Sequence, residues 1–438
     1  MHRNILTALI AAAATNAAAQ ACPAGADFAP PILIPTGNGP TSLSLGNFNN
    51  DGNIDLAVVN SNDGTVSTFT GNGDGTFSFE ITINSGLPAR LVSVVPVSNN
   101  PDPYDSILVE ELNSLRNYRR TDAGFGDVEP CDAEGIVTGI DFGPLPNATV
   151  ADTIIAIDKP TGPDEFLYIN LALFPFESYC GSITSFRRPT TDQPSAIASA
   201  DLNGDGQDEN IIVAGRNDGV VWAHLFDTTF NFPATIYPVG PRPTAIEAED
   251  VNEDGVDDLI VAFSDINAIR IFLGDGVGGL SLTPIELPYT TTTTAIPSSV
   301  IVADFNKDDE QDIMLATNSN PGVLYFRGNG TGSFAAPVPI SADFDHTVFA
   351  ADVNNDGATD LITSSGFGTS PANVVKVYLS NCLFCPADVN ADGAVTPADF
   401  SAWILAFNLD LPECDQNGDG ICTPADFTAW SLNYNDGC

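Results

Sequence analysis

Most of the chain is written in short stretches rich in Val, Ile, Leu, Phe and Thr, cut apart by clusters of Gly, Asn, Asp and Pro. That punctuation predicts β-strands joined by turns. One unit shows the order: TSLSLG (41–46), an acidic loop, IDLAVVN (54–60), a polar turn, then VSTFTGNGDGTF (66–77), whose glycines mark a further hairpin. Four short strands per unit follow. The glycine turn recurs as FLGDGVGGL from Phe272 and FRGNGTGSF from Phe326. Near the C-terminus the period changes. Phe400, Trp403, Ile404 and Phe407 stand at i, i+3, i+4 and i+7, and Phe427, Trp430 and Tyr434 repeat most of that stripe. Two short helices packed through their aromatic faces are predicted there.

The acidic loops give the period. NFNNDGNID starts at Asn47, DLNGDGQDE at Asp201, DVNEDGVDD at Asp250, DFNKDDEQD at Asp304 and DVNNDGATD at Asp352. The last four starts are 49, 54 and 48 residues apart, and 154 residues separate the first from the second. The long gap holds about two further units, placed around Asp105 and Asp141, where the strand pattern survives and the acidic loop does not. Seven repeats of roughly 50 residues match propeller blades. The expected fold is therefore all-β, a seven-bladed β-propeller. The seventh repeat stops at VVKVYLSNC before its outer strand, while FAPPILIPTG at residues 28–37 matches an outer strand with Phe28 aligned on Phe77. An N-terminal strand should thus complete the last blade.

Each loop suits calcium, a hard ion that takes six to eight oxygens at about 2.3–2.6 Å. Side chains at positions 1, 3, 5 and 9 are the candidate ligands. They are Asn47, Asn49, Asp51 and Asp55; Asp201, Asn203, Asp205 and Glu209; Asp250, Asn252, Asp254 and Asp258; Asp304, Asn306, Asp308 and Asp312; Asp352, Asn354, Asp356 and Asp360. Glycine at position 6 lets the backbone reverse, and Asp309 replaces it in the fourth loop. Position 12 already lies inside a strand, so the acid at position 9 is expected to close the site. A solvated Asn/Asp/Gly turn is the plainer reading of any single copy, and five copies in register favour the ion.

Residues 382–438 contain a duplication, CPADVNADGAVTPADFSAWILAFN and PECDQNGDGICTPADFTAWSLNYN. Its loops run to position 12. The expected ligands are Asp388, Asn390, Asp392, Thr396 and Asp399 in one copy, and Asp415, Asn417, Asp419, Thr423 and Asp426 in the other. Thr396 and Thr423 are also expected N-caps for helices opened by Pro397 and Pro424, with Asp399 and Asp426 three residues past them. Calcium is thus the expected cofactor, about five ions in the propeller and two in this module.

Composition adds the compartment. The chain has 438 residues and a formal charge of −43, which argues against nucleic acid or an anionic membrane surface as partner. Residues 1–21 read as a secretory signal: His2 and Arg3, an apolar core, then AAAQA. No later apolar run approaches membrane-spanning length. Eight cysteines in a secreted chain favour disulfides. Ring closure would bring Cys22 near Cys382, and elimination pairs Cys131 with Cys180. Cys385, Cys414, Cys422 and Cys438 allow three connectivities, of which Cys414–Cys422 with Cys385–Cys438 is the one chosen.

The repeats at about residues 28–381 resemble the FG-GAP or VCBS repeats of integrin-alpha-like propellers. Residues 382–438, with the NDGC terminus, resemble the GC-type dockerins of planctomycete-like bacteria. Those resemblances imply a secreted, calcium-binding adhesion or binding protein. Its propeller (22–381) would take an extracellular polysaccharide or protein ligand, and its C-terminal module would attach to a cohesin-like or cell-envelope receptor. Pro-Ala holds positions 10 and 11 of both C-terminal loops, where cellulosomal dockerins choose their cohesin. The turns after each second strand, Asn60 to Gly64, Arg216 to Gly219 and Asn318 to Gly322, are the candidate ligand face. No G-x-S-x-G, P-loop or HExxH motif occurs, and past the leader the histidines are His224 and His346. A non-enzymatic role is expected. A polysaccharide lyase on a calcium-rich propeller is the alternative.

Overall fold

The computed structural model describes residues 28–84, 89–95, 106–111, 114–121, 124–127, 131–132, 136–143, 152–159, 163–169, 187–208, 210–225, 233–289, 296–365, 373–381, 397–409, 414, 422–424, 426–428 and 430–431. These residues form seven antiparallel sheets. The first is Pro40–Gly46, Asp55–Asn60, Thr65–Gly71 and Phe77–Asn84, in sequence order from the axis outward. The fourth to sixth repeat that order, starting at Pro194–Ala200, Pro243–Glu249 and Pro297–Ala303. Each innermost strand packs on that of the next sheet, and Asp345–Ala351 of the seventh returns to Pro40–Gly46. The fold is a closed seven-bladed β-propeller.

Blades two and three fall where spacing put them. Ala89–Val95 and Ser106–Glu111 flank the Asp105 segment, and Ile136–Gly143 and Asp152–Asp158 flank residues 144–151. In blade two the outer position is shared by Gly124–Asp127 and Cys131–Asp132, both paired to Ser114–Thr121. Ring closure uses the N-terminus. Ile32–Pro35 pairs antiparallel with Val374–Tyr378, Ile32 opposite Val377 and Pro35 opposite Val374. Phe28 bridges Ser380 just as Phe77 pairs with Gly71, which confirms the alignment of the two phenylalanines.

Second strands such as Asp258–Phe263 and Asp312–Thr317 are buried at all six positions, because each sheet is covered on both faces by its neighbours. The core is a set of seams between blades. Ile212, Val221, Val261 and Phe263 fill the seam of blades four and five, and Ile260, Ile269, Leu315 and Phe326 that of five and six. Leu43, Val58, Ile362 and Val377 fill the closing seam. Burying one such side chain contributes about 1.5–3 kcal/mol.

In the C-terminal module, helix α1 is Pro397–Leu409, and helical residues recur between 424 and 431. Phe400 lies 5.7 Å from Phe427 and 5.2 Å from Trp430, and Trp403 lies 5.5 Å from Phe427, so the two stripes pack on each other. Ile404 departs from its place in the stripe. It is 40% exposed, and Ala406, 4% exposed, fills the inner face instead. Thr423 and Asp426 form one half of the expected capping box: the Thr423 N–H and Oγ1 donate to Asp426 Oδ2 at 2.7 and 3.1 Å, while the Asp426 N–H donates to the Thr423 backbone carbonyl at 3.0 Å. Cys414 and Cys422 are disulfide-bonded. The 1–21 leader, the other proposed cysteine pairings, the side chain of Asp399, and Asp388, Asn390, Asp392, Thr396, Asp415, Asn417 and Asp419 lie outside the described residues. Among the described residues no helix is long and apolar enough to cross a membrane.

Candidate metal loops and an axial pocket

Every acidic loop joins an innermost strand to the second strand of its blade, so the five loops share one end of the propeller. Within each, the polar oxygens fold onto the loop backbone. In the fifth blade the Asp254 N–H donates to Asp250 Oδ1 at 3.2 Å and Asn252 Oδ1 at 3.0 Å. The Gly255 N–H reaches Asp250 Oδ2 at 2.8 Å, and the Val256 N–H reaches Asp254 Oδ1 at 3.0 Å. Loops at Asp201 and Asp352 repeat this set. Asn47 accepts the Asp51 N–H at 3.2 Å in the first loop. These Asx-type turns gather positions 1, 3 and 5 around one centre.

The acid at position 9 also holds backbone donors. Asp258 is fully buried, accepting from the N–H of Val251 through Oδ2 at 3.3 Å and from that of Gly274 through Oδ1 at 2.8 Å. Asp55 does the same for Phe48 and Gly71, Asp312 for Phe305 and Gly328, and Asp360 for Val353 and Ser380. This carboxylate is a bracket between the loop and the end of the third strand. A Cβ on Gly71, Gly274 or Gly328 would collide with the carbonyl oxygen of Ile54, Asp257 or Gln311, which explains those glycines. In blade four the bracket is Asn210. It stands opposite Ala200 as Asp258 stands opposite Glu249, and its Oδ1 accepts the Leu202 N–H at 3.3 Å. One extra residue in that loop puts Asn210 in the place that counting along the sequence gave to Glu209, which itself lies outside the described residues.

Burial without a full countercharge raises these acids. Desolvation, partly offset by backbone N–H donors, pushes Asp55 up to about 6 and Asp258, Asp312 and Asp360 to about 7. Asp304 and Asp352 also rise, again mainly by desolvation. Among the described residues no three His, Cys, Asp or Glu side chains converge as a metal group. The bracket accounts for this: it draws the ninth-position acid to the backbone, leaving two acids and an Asn oxygen in the loops that begin with Asp. Those donors are all hard oxygens, the ligand type that a calcium ion would take, with a backbone carbonyl and water needed to complete the set.

The opposite end carries a pocket of about 470 Å³ lined by Thr41, Thr138, Asp158, Ser195, Arg216 and His346 among others. Thr41, Thr138, Ser195 and His346 sit near the starts of innermost strands, and Arg216 follows the end of a second strand. Blades one, three, four and seven are not consecutive round the ring, so they meet at its axis. Thr41 Oγ1 and His346 Nδ1 are buried with no hydrogen-bond partner. Burial lowers the His346 pKa, with a bond to the Thr41 backbone opposing, and desolvation followed by Asp164 and Asp192 raises that of Asp158. Arg216 belongs to one of the turns expected to form the ligand face. Residues 41, 138 and 346 carried no sequence signal, because their proximity depends on ring closure. His224 is buried against Phe166, with ring centroids 4.6 Å apart.

The FG-GAP-like repeat family matches residues 47–97, 201–261, 250–315 and 304–363. The chain thus carries FG-GAP-like repeats on a seven-bladed propeller, a fold that generally fits extracellular binding. No curated protein matches significantly. Among solved structures it is similar to "BBS1N in complex with ARL6DN", soaked with lead, at TM-score 0.57 and 11% identity, covering 81% of this chain and 97% of that one. A mercury-soaked crystal of the same complex gives the same values. A functionally unknown protein from Desulfotomaculum acetoxidans DSM 771 is similar at TM-score 0.50 and 15% identity, covering 76% of this chain and 95% of that one. At these identities the likeness concerns the fold alone.

Proposed function

We propose that the protein is a secreted, calcium-stabilised binding or adhesion propeller that receives an extracellular glycan or protein ligand at its axial pocket. The C-terminal dockerin-like module attaches it to the cell surface or to a complex. The observation that carries the ligand site is the pocket itself: polar side chains from four blades converge there, and two of them hold a buried polar atom without a partner. Four hydroxyl side chains, the Gln193 amide, Asp158 and Arg216 line it beside Ile136, Val137 and Pro194, a mixed surface that suits a polyhydroxylated or peptide ligand. Calcium in the loops at the far end would stiffen the blades that shape it.

One observation favours the enzyme alternative. His346, held neutral by burial, and Arg216 share the pocket, and a lyase needs a base and a cation. The test is a glycan array with the full chain in calcium, scored for both retention and cleavage. Retention without shortening, lost in Arg216→Ala and Thr41→Val, supports the binding reading. Retention indifferent to both variants would move the site elsewhere, and turnover abolished by His346→Ala would establish the enzyme.

A further inference from the structure

We propose that the acidic loop of the sixth blade carries its cation within the chain: the Arg327 guanidinium, seated on Asp308, takes the place of a divalent ion, and residues 304–312 fold without metal. This rests on reading the other acidic loops of the propeller as calcium sites.

Arg327 Nη2 donates to Asp308 Oδ2 at 2.8 Å and Nε to the same oxygen at 3.3 Å. That oxygen also accepts the Asn306 Nδ2–H at 3.0 Å, while Asp308 Oδ1 accepts the Glu310 N–H at 3.2 Å. A carboxylate offers about four lone-pair sites. Three N–H donors therefore crowd Oδ2 of the position-5 acid and one meets Oδ1; the amide and loop N–H contacts recur on Asp51 and Asp356, and the guanidinium is what this blade adds.

Strand register shows that the arginine is particular to this blade. Phe69, His224, Phe272, Phe326 and Tyr378 hold equivalent places in the five third strands. The residues that follow them are Thr70, Leu225, Leu273, Arg327 and Leu379, so four of the five blades have no cation there. The same loop departs at position 6, where Gly52, Gly206, Gly255 and Gly357 have φ of 90°, 85°, 85° and 80°. Asp309 is held at φ 64°, a region costly for a residue with a Cβ. Asp309 also adds an acid to a loop that already holds Asp304, Asp308, Glu310 and Asp312. The loop keeps the hydrogen-bond set of the others, so what departs at the blade that supplies its own guanidinium is the residue at position 6 and the local charge.

The test is amide hydrogen exchange of the full chain, followed by peptide mass spectrometry in calcium and in EGTA. In the native protein, 304–312 should exchange equally in both, while 250–258 and 352–360 exchange faster in EGTA. Arg327→Leu, the residue of blades four, five and seven, should raise exchange of 304–312 in EGTA by roughly two- to fivefold, the factor for a partly exposed ion pair, and leave 250–258 unchanged. Arg327→Lys keeps the charge and should stay closer to native protection, which guards against a general loss of fold. Native 304–312 loosening in EGTA, or Arg327→Leu exchanging like the native chain, would overturn the proposal. If no loop responds to EGTA, the calcium reading of the others fails, and the Arg327→Leu comparison still decides this one.

Discussion

Replacing Asp258 by Ala separates its two possible roles, calcium ligand and backbone bracket. The carboxylate is fully buried and accepts two N–H donors, from Val251 at 3.3 Å and Gly274 at 2.8 Å. Alanine leaves both donors without a partner, at about 1–3 kcal/mol each. The expected loss is then about 2–6 kcal/mol, which lowers the urea midpoint by about 0.7–2 M at an m-value near 3 kcal/mol/M. The measurement is urea unfolding in EGTA, where no ion contributes. Asp258→Asn keeps one acceptor and should cost about half as much, consistent with the use of Asn210 as the bracket of blade four. If Asp258→Ala is destabilised in calcium and matches the native protein in EGTA, the bracket argument is wrong and the residue is a ligand alone.

Three further outcomes are expected. EGTA should lower the melting temperature, each ion contributing about 2.7 kcal/mol at a hundredfold excess over Kd, and elemental analysis that finds no calcium would refute the loop sites. Lys376, 1% exposed, is paired with fully buried Asp345 at 2.9 Å, so Lys376→Met should cost about 3–5 kcal/mol in a denaturation experiment, with Asp345→Leu on the same chain recovering much of it. His346 should titrate below the free-imidazole value by NMR. Because its folded pKa is lowered, its contribution to stability is fully present above the unfolded pKa of about 6.5 and is lost as pH falls from there through the lower folded value.

Strand content and blade count were legible because acidic loops recur at nearly fixed spacing, and blades two and three were placed by that spacing and by the strand pattern that survives around Asp105 and Asp141. The closing strand was legible because FAPPILIPTG from Phe28 aligns with FSFEITINSG from Phe77 at the phenylalanine, two isoleucines and the closing glycine. Pairing register was not legible. Glu209 and Asn210 are adjacent acceptors, and only the opposition of Ala200 to Asn210 shows which one enters the ladder. The bracket was hidden for a chemical reason. An Asp ending an acidic loop looks the same in sequence whether its oxygens face an ion or the N–H of Gly274. The axial pocket was hidden by topology, since Thr41 and His346 are 305 positions apart and become neighbours through ring closure.

The glycine turns, read at first as hairpin punctuation, also join the blades. The Gly278 N–H of blade five donates to the Leu202 carbonyl of the preceding loop at 3.0 Å, that of Gly332 to Val251 at 3.1 Å, and that of Gly75 to Val353 at 3.3 Å. Each acceptor is the second residue of an acidic loop and is buried. The other two such residues are Phe48 and Phe305, and among the described residues each meets an aromatic ring. Phe125 of blade two lies 5.8 Å edge-on to Phe48, and Phe28 of the N-terminal segment lies 6.3 Å from Phe305. The acidic loop therefore acts at three points at once, on its own third strand through the bracket, on the neighbouring blade through its second residue, and on any ion through positions 1, 3 and 5. An ion that orders the loop also tightens the seam beside it, so calcium would stabilise the ring between blades as well as within them.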